Sequence, residues 1–405
     1  MKITLPRKLP IAISACVLFL QTGCSGLEKS TSASGTNKSS DVLISGKNVA
    51  IAQQITTTEI ASGLKHPWGM AWLPNGDILV TERPGRLRII RDGKLDPEAV
   101  AGVPEVFAVT HGGLLDISLH PDFAENSLVY FIYADGDRQA NRTKVAKAVF
   151  DGTALTAWTD IFEVNRAKPG GQHFGSRIVW LADKTMLVAF GDGGNPPLSL
   201  DGELIRQQAQ NLNSHLGSVV RINDDGSIPA DNPFSDRPEA DPAIWSYGHR
   251  NIQGMTVAPT TGRIWSTEHG SKGGDELNLM QAGQNYGWPE VSYSDEYSGG
   301  RVAELNSRAG IPEPKLVWTP SIAPSGLAFY SSDRFRQWQG DLFAGGLVSR
   351  DVRRIDLDAE GKVIKEESIP IGKRVRDVRQ SPDGGLYVLT DEQNGQLIEI
   401  EPGDN

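Results

Sequence analysis

Six times along this chain of 405 residues, a short apolar segment runs into a turn and returns as a second apolar segment. The pairs are 68–72 with 78–81, 113–119 with 128–131, 176–181 with 186–189, 254–257 with 264–267, 326–329 with 341–344, and 377–378 with 386–390. Turns such as Pro74-Asn75-Gly76-Asp77 and Pro382-Asp383-Gly384-Gly385 supply the positive φ angles of tight hairpins. Some copies continue into a further strand, as at 87–90 and 397–400. A small sheet repeated in this way cannot bury its two faces alone and must stack against its neighbours. The expectation is an all-β fold, a six-bladed β-propeller of four-stranded antiparallel blades. A β-sandwich would not require six related hairpins. The 44 glycines and 24 prolines agree with so many turns. Long insertions at 161–175, 195–211 and 224–243 break the spacing, and such loops on one face of a rigid scaffold are where sites are built.

Residues 1–24 read as an export signal. Lys2, Arg7 and Lys8 precede an apolar run from Leu9 to Leu20 that is too short to span a membrane. The run ends at Leu20-Gln21-Thr22-Gly23-Cys24, which resembles a bacterial lipobox with Gln21 where an aliphatic residue is usual. Lipidation of Cys24 is the expectation. Ser25 carries no Asp-type retention signal, so the protein is placed in the periplasm or at the outer membrane. Ordinary cleavage nearby would instead release it. Residues 25–54, rich in Ser, Thr, Gly, Asn and Lys, read as a flexible tether, and 55–405 as the catalytic propeller. Cys16 and Cys24 are the only cysteines, so the mature domain has neither a disulfide nor thiolate chemistry. Loss of the three signal-peptide cations takes the formal charge from −10 to −13. That argues against nucleic acid or an anionic membrane surface as partner.

No phosphate-binding loop, zinc spacing or Gly-x-Ser-x-Gly elbow is present. Polar clusters gather instead at the ends of the repeated strands. A His in a Gly-rich loop, as in Gly170-Gly171-Gln172-His173-Phe174-Gly175, can act as a general base, although a lone His is more often structural. Asp192 follows the paired strand of the same hairpin, where a carboxylate would fix the tautomer of His173. In His249-Arg250-Asn251-Ile252-Gln253, the polar side chains of Arg250, Asn251 and Gln253 gather at a strand start, and the planar fork of Arg250 suits a carboxylate or carbonyl. Segments 267–278 and 283–289 combine flexible backbone carbonyls with carboxylates, a mix that suits Ca²⁺ but lacks EF-hand spacing. Arg374 and Arg376 would face one side of a strand as a two-pronged anion clamp; the alternative is a solvated basic loop over 373–379.

From about residue 60 to 400 the chain resembles the soluble pyrroloquinoline quinone (PQQ)-dependent glucose and aldose sugar dehydrogenases. The motifs that carry the resemblance are Gly113-Leu114-Leu115-Asp116 with His120-Pro121-Asp122-Phe123, Arg250-Asn251-x-Gln253-Gly254, Asp275-Glu276-Leu277-Asn278, Asn285-Tyr286-Gly287-Trp288-Pro289, Ile322-Ala323-Pro324-Ser325-Gly326, and Arg376-Asp377-Val378 with Ser381-Pro382-Asp383-Gly384. The resemblance implies oxidation of an aldose at C1 to the lactone by hydride transfer to PQQ. Electrons then pass to an acceptor such as a cytochrome or a quinone. It implies His173 as the base, Asp192 as its orienting carboxylate, and Arg250 beside the reacting quinone carbonyl. Asn251, Gln253, Arg374 and Arg376 become cofactor contacts, and His111 and Gln172 lie near the sugar. Gly270 and Ser271 would offer backbone oxygens to a Ca²⁺ that also binds PQQ. Glu276 and the backbone oxygen of Tyr286 would serve a second, structural Ca²⁺.

Two positions depart from the family pattern. His111 stands where the family usually has Gln, and Val348 stands where a basic residue is usual, with Arg350 two positions on. The second departure implies weaker anchoring of PQQ. Two other functions fit a propeller, a calcium-dependent lactone hydrolase and a non-catalytic saccharide- or protein-binding module, and fold alone does not separate them.

Overall fold

The computed structural model describes residues 42–46 and 48–403. It holds six antiparallel sheets of four meandering strands. The first strands of the blades are Pro67–Trp72, Leu114–Leu119, Arg177–Trp180, Ile252–Val257, Pro324–Phe329 and Val375–Gln380. Each touches the next, and the sixth touches the first, so the six strands line a closed ring. The six repeated hairpins are the two inner strands of the six blades. The ring is sealed by the N-terminal strand Ile55–Leu64, which pairs with Gly395–Pro402 as the outermost strand of the sixth blade.

Strand alternation explains the core. In Met186–Ala189, Met186 and Val188 pack toward the second blade, while Leu187 and Ala189 pack toward the fourth. Both faces of a blade are therefore apolar, and six buried clusters fill the six gaps between blades. Inner strands approach so closely that a Cβ on Gly254 would lie 2.3 Å from the Ser325 carbonyl of the next blade. Side chains cross these gaps too. Thr267 donates to the Ser325 carbonyl at 3.0 Å, and Ser325 to the Val375 carbonyl at 2.8 Å.

The axis is plugged by a buried ionic network. Arg177 of the third blade reaches Asp116 of the second at 3.1 Å and Asp377 of the sixth at 2.9 Å. Arg379 binds the same two carboxylates. Such a network links blades far apart in sequence and blocks the channel below the site.

The tether differs from expectation. Of residues 25–54, those before 42 and residue 47 lie outside the described residues, as do the export signal and Cys24. The remainder is docked: Leu43–Ser45 pairs in parallel with Leu316–Trp318 of the fourth blade, and Ala50–Ile51 with Val363–Pro370 of the fifth. The strands themselves are apolar, Val42-Leu43-Ile44 and Val49-Ala50-Ile51, but each is only two or three residues long and follows a polar stretch, so 25–54 read as one tether; each satisfies an open sheet edge through its backbone.

Candidate active site

One end of the ring opens into a cavity of about 590 Å³. Its wall is made by residues just before the first strand of each blade and just after the second. His66, Asn251, Ala323 and Arg374 come from the first group, and Arg83, His269, Leu347 and Asp391 from the second. Of the residues singled out from sequence, His111, Gln172, His173, Arg250, Asn251, Gln253, Arg374 and Arg376 line this cavity.

His173 is buried, and its Nδ1 lies 2.6 Å from Oδ1 of Asp192. Asp192 also accepts from the backbone of Gly194 at 3.1 Å and from the indole of Trp288 at 2.7 Å. The carboxylate is thus fixed, and it leaves Nε2 of His173 without a hydrogen-bond partner among the described residues. The approach depends on Gly191, where a Cβ would fall 2.4 Å from the His173 carbonyl. Burial first, then the Arg250 guanidinium, holds His173 below the ordinary imidazole range, against the pull of Asp192. His173 is therefore a neutral imidazole at ordinary pH, with a lone pair available to take a proton.

His111 stacks beside it, with ring centroids 6.1 Å apart and planes 14° apart. Burial, His173 and three nearby cations push His111 down to about 3. Gln172 turns its side chain to Asn195, whose backbone N–H it accepts at 3.0 Å.

Across the cavity Arg250 donates to the His269 carbonyl at 3.1 Å and to Asn195 at 2.7 Å, and lies over the Trp288 ring. Gln253 donates to the Gly175 carbonyl at 2.8 Å and accepts from Arg376 at 3.0 Å. Arg376 also donates to Asp391 at 2.8 Å, and Arg374 to the Leu347 carbonyl at 3.2 Å. The buried Nε groups of Arg250 and Arg376 have no partner among the described residues. The guanidinium groups of Arg83, Arg250, Arg374 and Arg376 make the wall one that suits an anionic or carbonyl-rich guest.

The proposed metal ligands fall elsewhere. Gly270, Glu276 and Tyr286 line a separate void of about 10 Å³, together with Glu268. Burial and the neighbouring Glu268 charge push Glu276 up to about 8. Ser271 is buried and lines neither space. Its loop is held by Asp275, which accepts from the Gly270, Ile322 and Ala323 backbones and from Ser321. Among the described residues no three His, Cys, Asp or Glu side chains gather around a metal position. A cation here would rely on backbone oxygens and the Glu268–Glu276 pair, a hard, oxygen-only set that fits Ca²⁺.

The Val348 reading changes. Val348 is 60% exposed and lines an outer groove with Ile51 and Arg350; from this segment it is Leu347 that reaches the cavity. A cation at Val348 would have faced solvent, so its absence removes nothing from the cavity wall.

Among the cavity residues that escaped the sequence reading are Arg83, Asp391, His66 and Trp68. The first two directly follow the second strands Ile78–Glu82 and Leu386–Thr390, as His269 follows Ile264–Glu268. Aligning the six hairpins on that position would have found them.

The sequence pattern of the glucose/sorbosone dehydrogenase family matches residues 64–399. The chain is 40% identical to an aldose sugar dehydrogenase of Escherichia coli, over 84% of this chain and 91% of that protein. A crystal structure of an aldose sugar dehydrogenase from Escherichia coli in its apo form superposes with a TM-score of 0.81 at 38% identity, covering 86% of this chain and 99% of that one. Quinoprotein glucose dehydrogenase B of Acinetobacter calcoaceticus is 28% identical over 82% of this chain and 84% of its own length. The PQQ-bound aldose sugar dehydrogenase of Streptomyces coelicolor gives a TM-score of 0.69 at 26% identity, covering 87% of this chain and 100% of that one.

Proposed function

We propose, on the premise that this chain belongs to the glucose/sorbosone dehydrogenase family and is a sugar dehydrogenase, that it oxidises aldoses at C1 to lactones with PQQ and Ca²⁺. The family sets aside the hydrolase and the non-catalytic binding module. The observation that carries the finer reading is the His173–Asp192 pair on the wall of an arginine-rich cavity.

PQQ fits the wall by charge. Arg83, Arg250, Arg374 and Arg376 face the cavity against Asp391 alone, a net charge of +3 from these five groups. The cofactor carries three carboxylates. Arg374 and Arg376 would bind those carboxylates, with Asn251 and Gln253 along the ring. When bound, PQQ supplies the two-electron acceptor for the C1 hydride. Gly270 and Ser271 would hold the Ca²⁺ beside it, and Glu276 with the Tyr286 backbone a second one.

Proton movement belongs to the chain itself. His173 Nε2 takes the proton of the anomeric hydroxyl, and Asp192 stabilises the resulting imidazolium. Arg250 places a fixed positive charge where the wall faces developing negative charge. His111 and Gln172 border the sugar, and burial of His173 keeps water from competing for its lone pair. The electrons leave for a cytochrome or quinone acceptor. The described residues contain no helix long and apolar enough to cross a membrane. Export through residues 1–24 and a lipid on Cys24 are part of the same proposal and place the enzyme in the periplasm or at the outer membrane.

An aldose deuterated at C1 tests the reaction. The account predicts lactone as product and a primary isotope effect on dye reduction. Product without isotope-sensitive C–H cleavage would contradict hydride transfer.

A further inference from the structure

Lys168 is 2% exposed, and no carboxylate lies within ion-pair distance of it among the described residues. Its Nζ donates to the Gln172 carbonyl at 2.7 Å and lies 3.8 Å from the centre of the Phe174 ring. Gln172 and Phe174 flank His173, so one ammonium group brackets the base on both sides. The root of the side chain is fixed as well. Lys168 and Asn141 exchange two backbone hydrogen bonds of 2.9 Å, and the Asn141 amide donates to the Gly170 carbonyl at 2.6 Å. An unpaired buried ammonium is costly where a Met of similar volume would not be. Neither the propeller core nor the His173–Asp192 bond requires that charge.

We propose that Lys168 is a positioning residue for the base: its ammonium clamps the Gly170–Gly175 loop and sets a positive charge behind the His173–Asp192 pair. This rests on His173 being the base. The titratable groups that face the ammonium are His173, Asp192 and His111, and Arg250 faces His173 as a second, stronger cation; the other neighbours of the ammonium, Gln172, Phe174 and Gly193, carry no charge. Burial pushes Lys168 down to about 7, with Asp192 opposing. The charge is therefore present on the acid side of neutrality, the range in which a histidine gains its proton. A cation there disfavours imidazolium and keeps Nε2 free.

The test is an NMR titration of the His173 ring in metal-free, cofactor-free protein, for wild type, Lys168→Met and Lys168→Gln. Removal of the charge should raise the His173 midpoint by about 0.5–1 pH unit in both variants. In enzyme reconstituted with PQQ and Ca²⁺, the acid limb of kcat/KM should move the same way, and Lys168→Arg should keep it in place. An unmoved midpoint, or a rate loss with an unmoved limb, would reduce Lys168 to packing and overturn the proposal. If neither neutral variant folds, wild type still decides: a His173 that titrates at or above the ordinary imidazole value overturns it. A shifted midpoint in a protein that oxidises no aldose would sink the dehydrogenase reading and leave the Lys168–His173 coupling standing.

Discussion

His173 and Asp192 meet at 2.6 Å across the mouth of one hairpin, and the indole of Trp288, from the fourth blade, holds the second carboxylate oxygen at 2.7 Å. The base is therefore oriented from two blades at once. His173→Ala should leave the fold intact and lower kcat by about 10²–10⁴-fold, the usual contribution of a positioned acid–base group. Asp192→Asn should cost less, and Trp288→Phe less again. Steady-state kinetics on the three variants check the order.

The pH dependence follows from the sign of the His173 shift. A base works only unprotonated, so kcat/KM falls as pH drops through its folded value. Burial and Arg250 depress that value, which places the acid limb below about pH 6.5. A pH–rate profile with its acid limb at or above that value would contradict the environment described for His173.

Glu276 gives a stability prediction. In metal-free protein it is buried and faces the Glu268 charge, and both effects raise it to about 8. Glu276→Gln removes the repulsion, so the metal-free variant should melt no lower than wild type. Added Ca²⁺ should raise the Tm of wild type and do little for the variant. Calorimetry with and without chelator makes the comparison.

The axial network predicts a large loss of stability from the floor of the cavity, where Arg177 also donates to the Gln253 carbonyl at 2.9 Å. Arg177→Met leaves Asp116 and Asp377 short of a buried cation. The cost should be about 3–5 kcal/mol, read from denaturant unfolding.

Much of this was legible before the structure. The six hairpins show because each must hide two apolar faces, which leaves strand-length apolar runs around turn residues. His173, Arg250 and Arg376 show because they sit in short polar motifs at strand ends. Asp391 and Arg83 did not, because each is a single charged residue after a strand and stands out only when the six hairpins are aligned on that position. The strap strands at 43–45 and 50–51 were hidden because apolar runs of two or three residues are too short to read as strands, and they pair at an edge through the backbone. Val348 misled because its neighbour Leu347, one step along the chain, is the one that turns inward.

That last point is itself testable. Val348→Lys puts a cation on the outer groove, so PQQ affinity should stay within about twofold of wild type. Arg376→Ala, on the cavity wall, should weaken it by about tenfold or more, the scale of a charge-assisted hydrogen bond.

The central claim is that this arginine-lined cavity holds PQQ beside a neutral His173 and oxidises aldoses. Apoprotein titrated with PQQ at fixed Ca²⁺, then assayed for dye reduction across a panel of aldoses, tests it most directly. The account predicts saturable PQQ binding, weakened by chelator, and dye reduction that appears only when PQQ and an aldose are both present. PQQ binding no better than to an unrelated protein, with no aldose-dependent reduction, would contradict it.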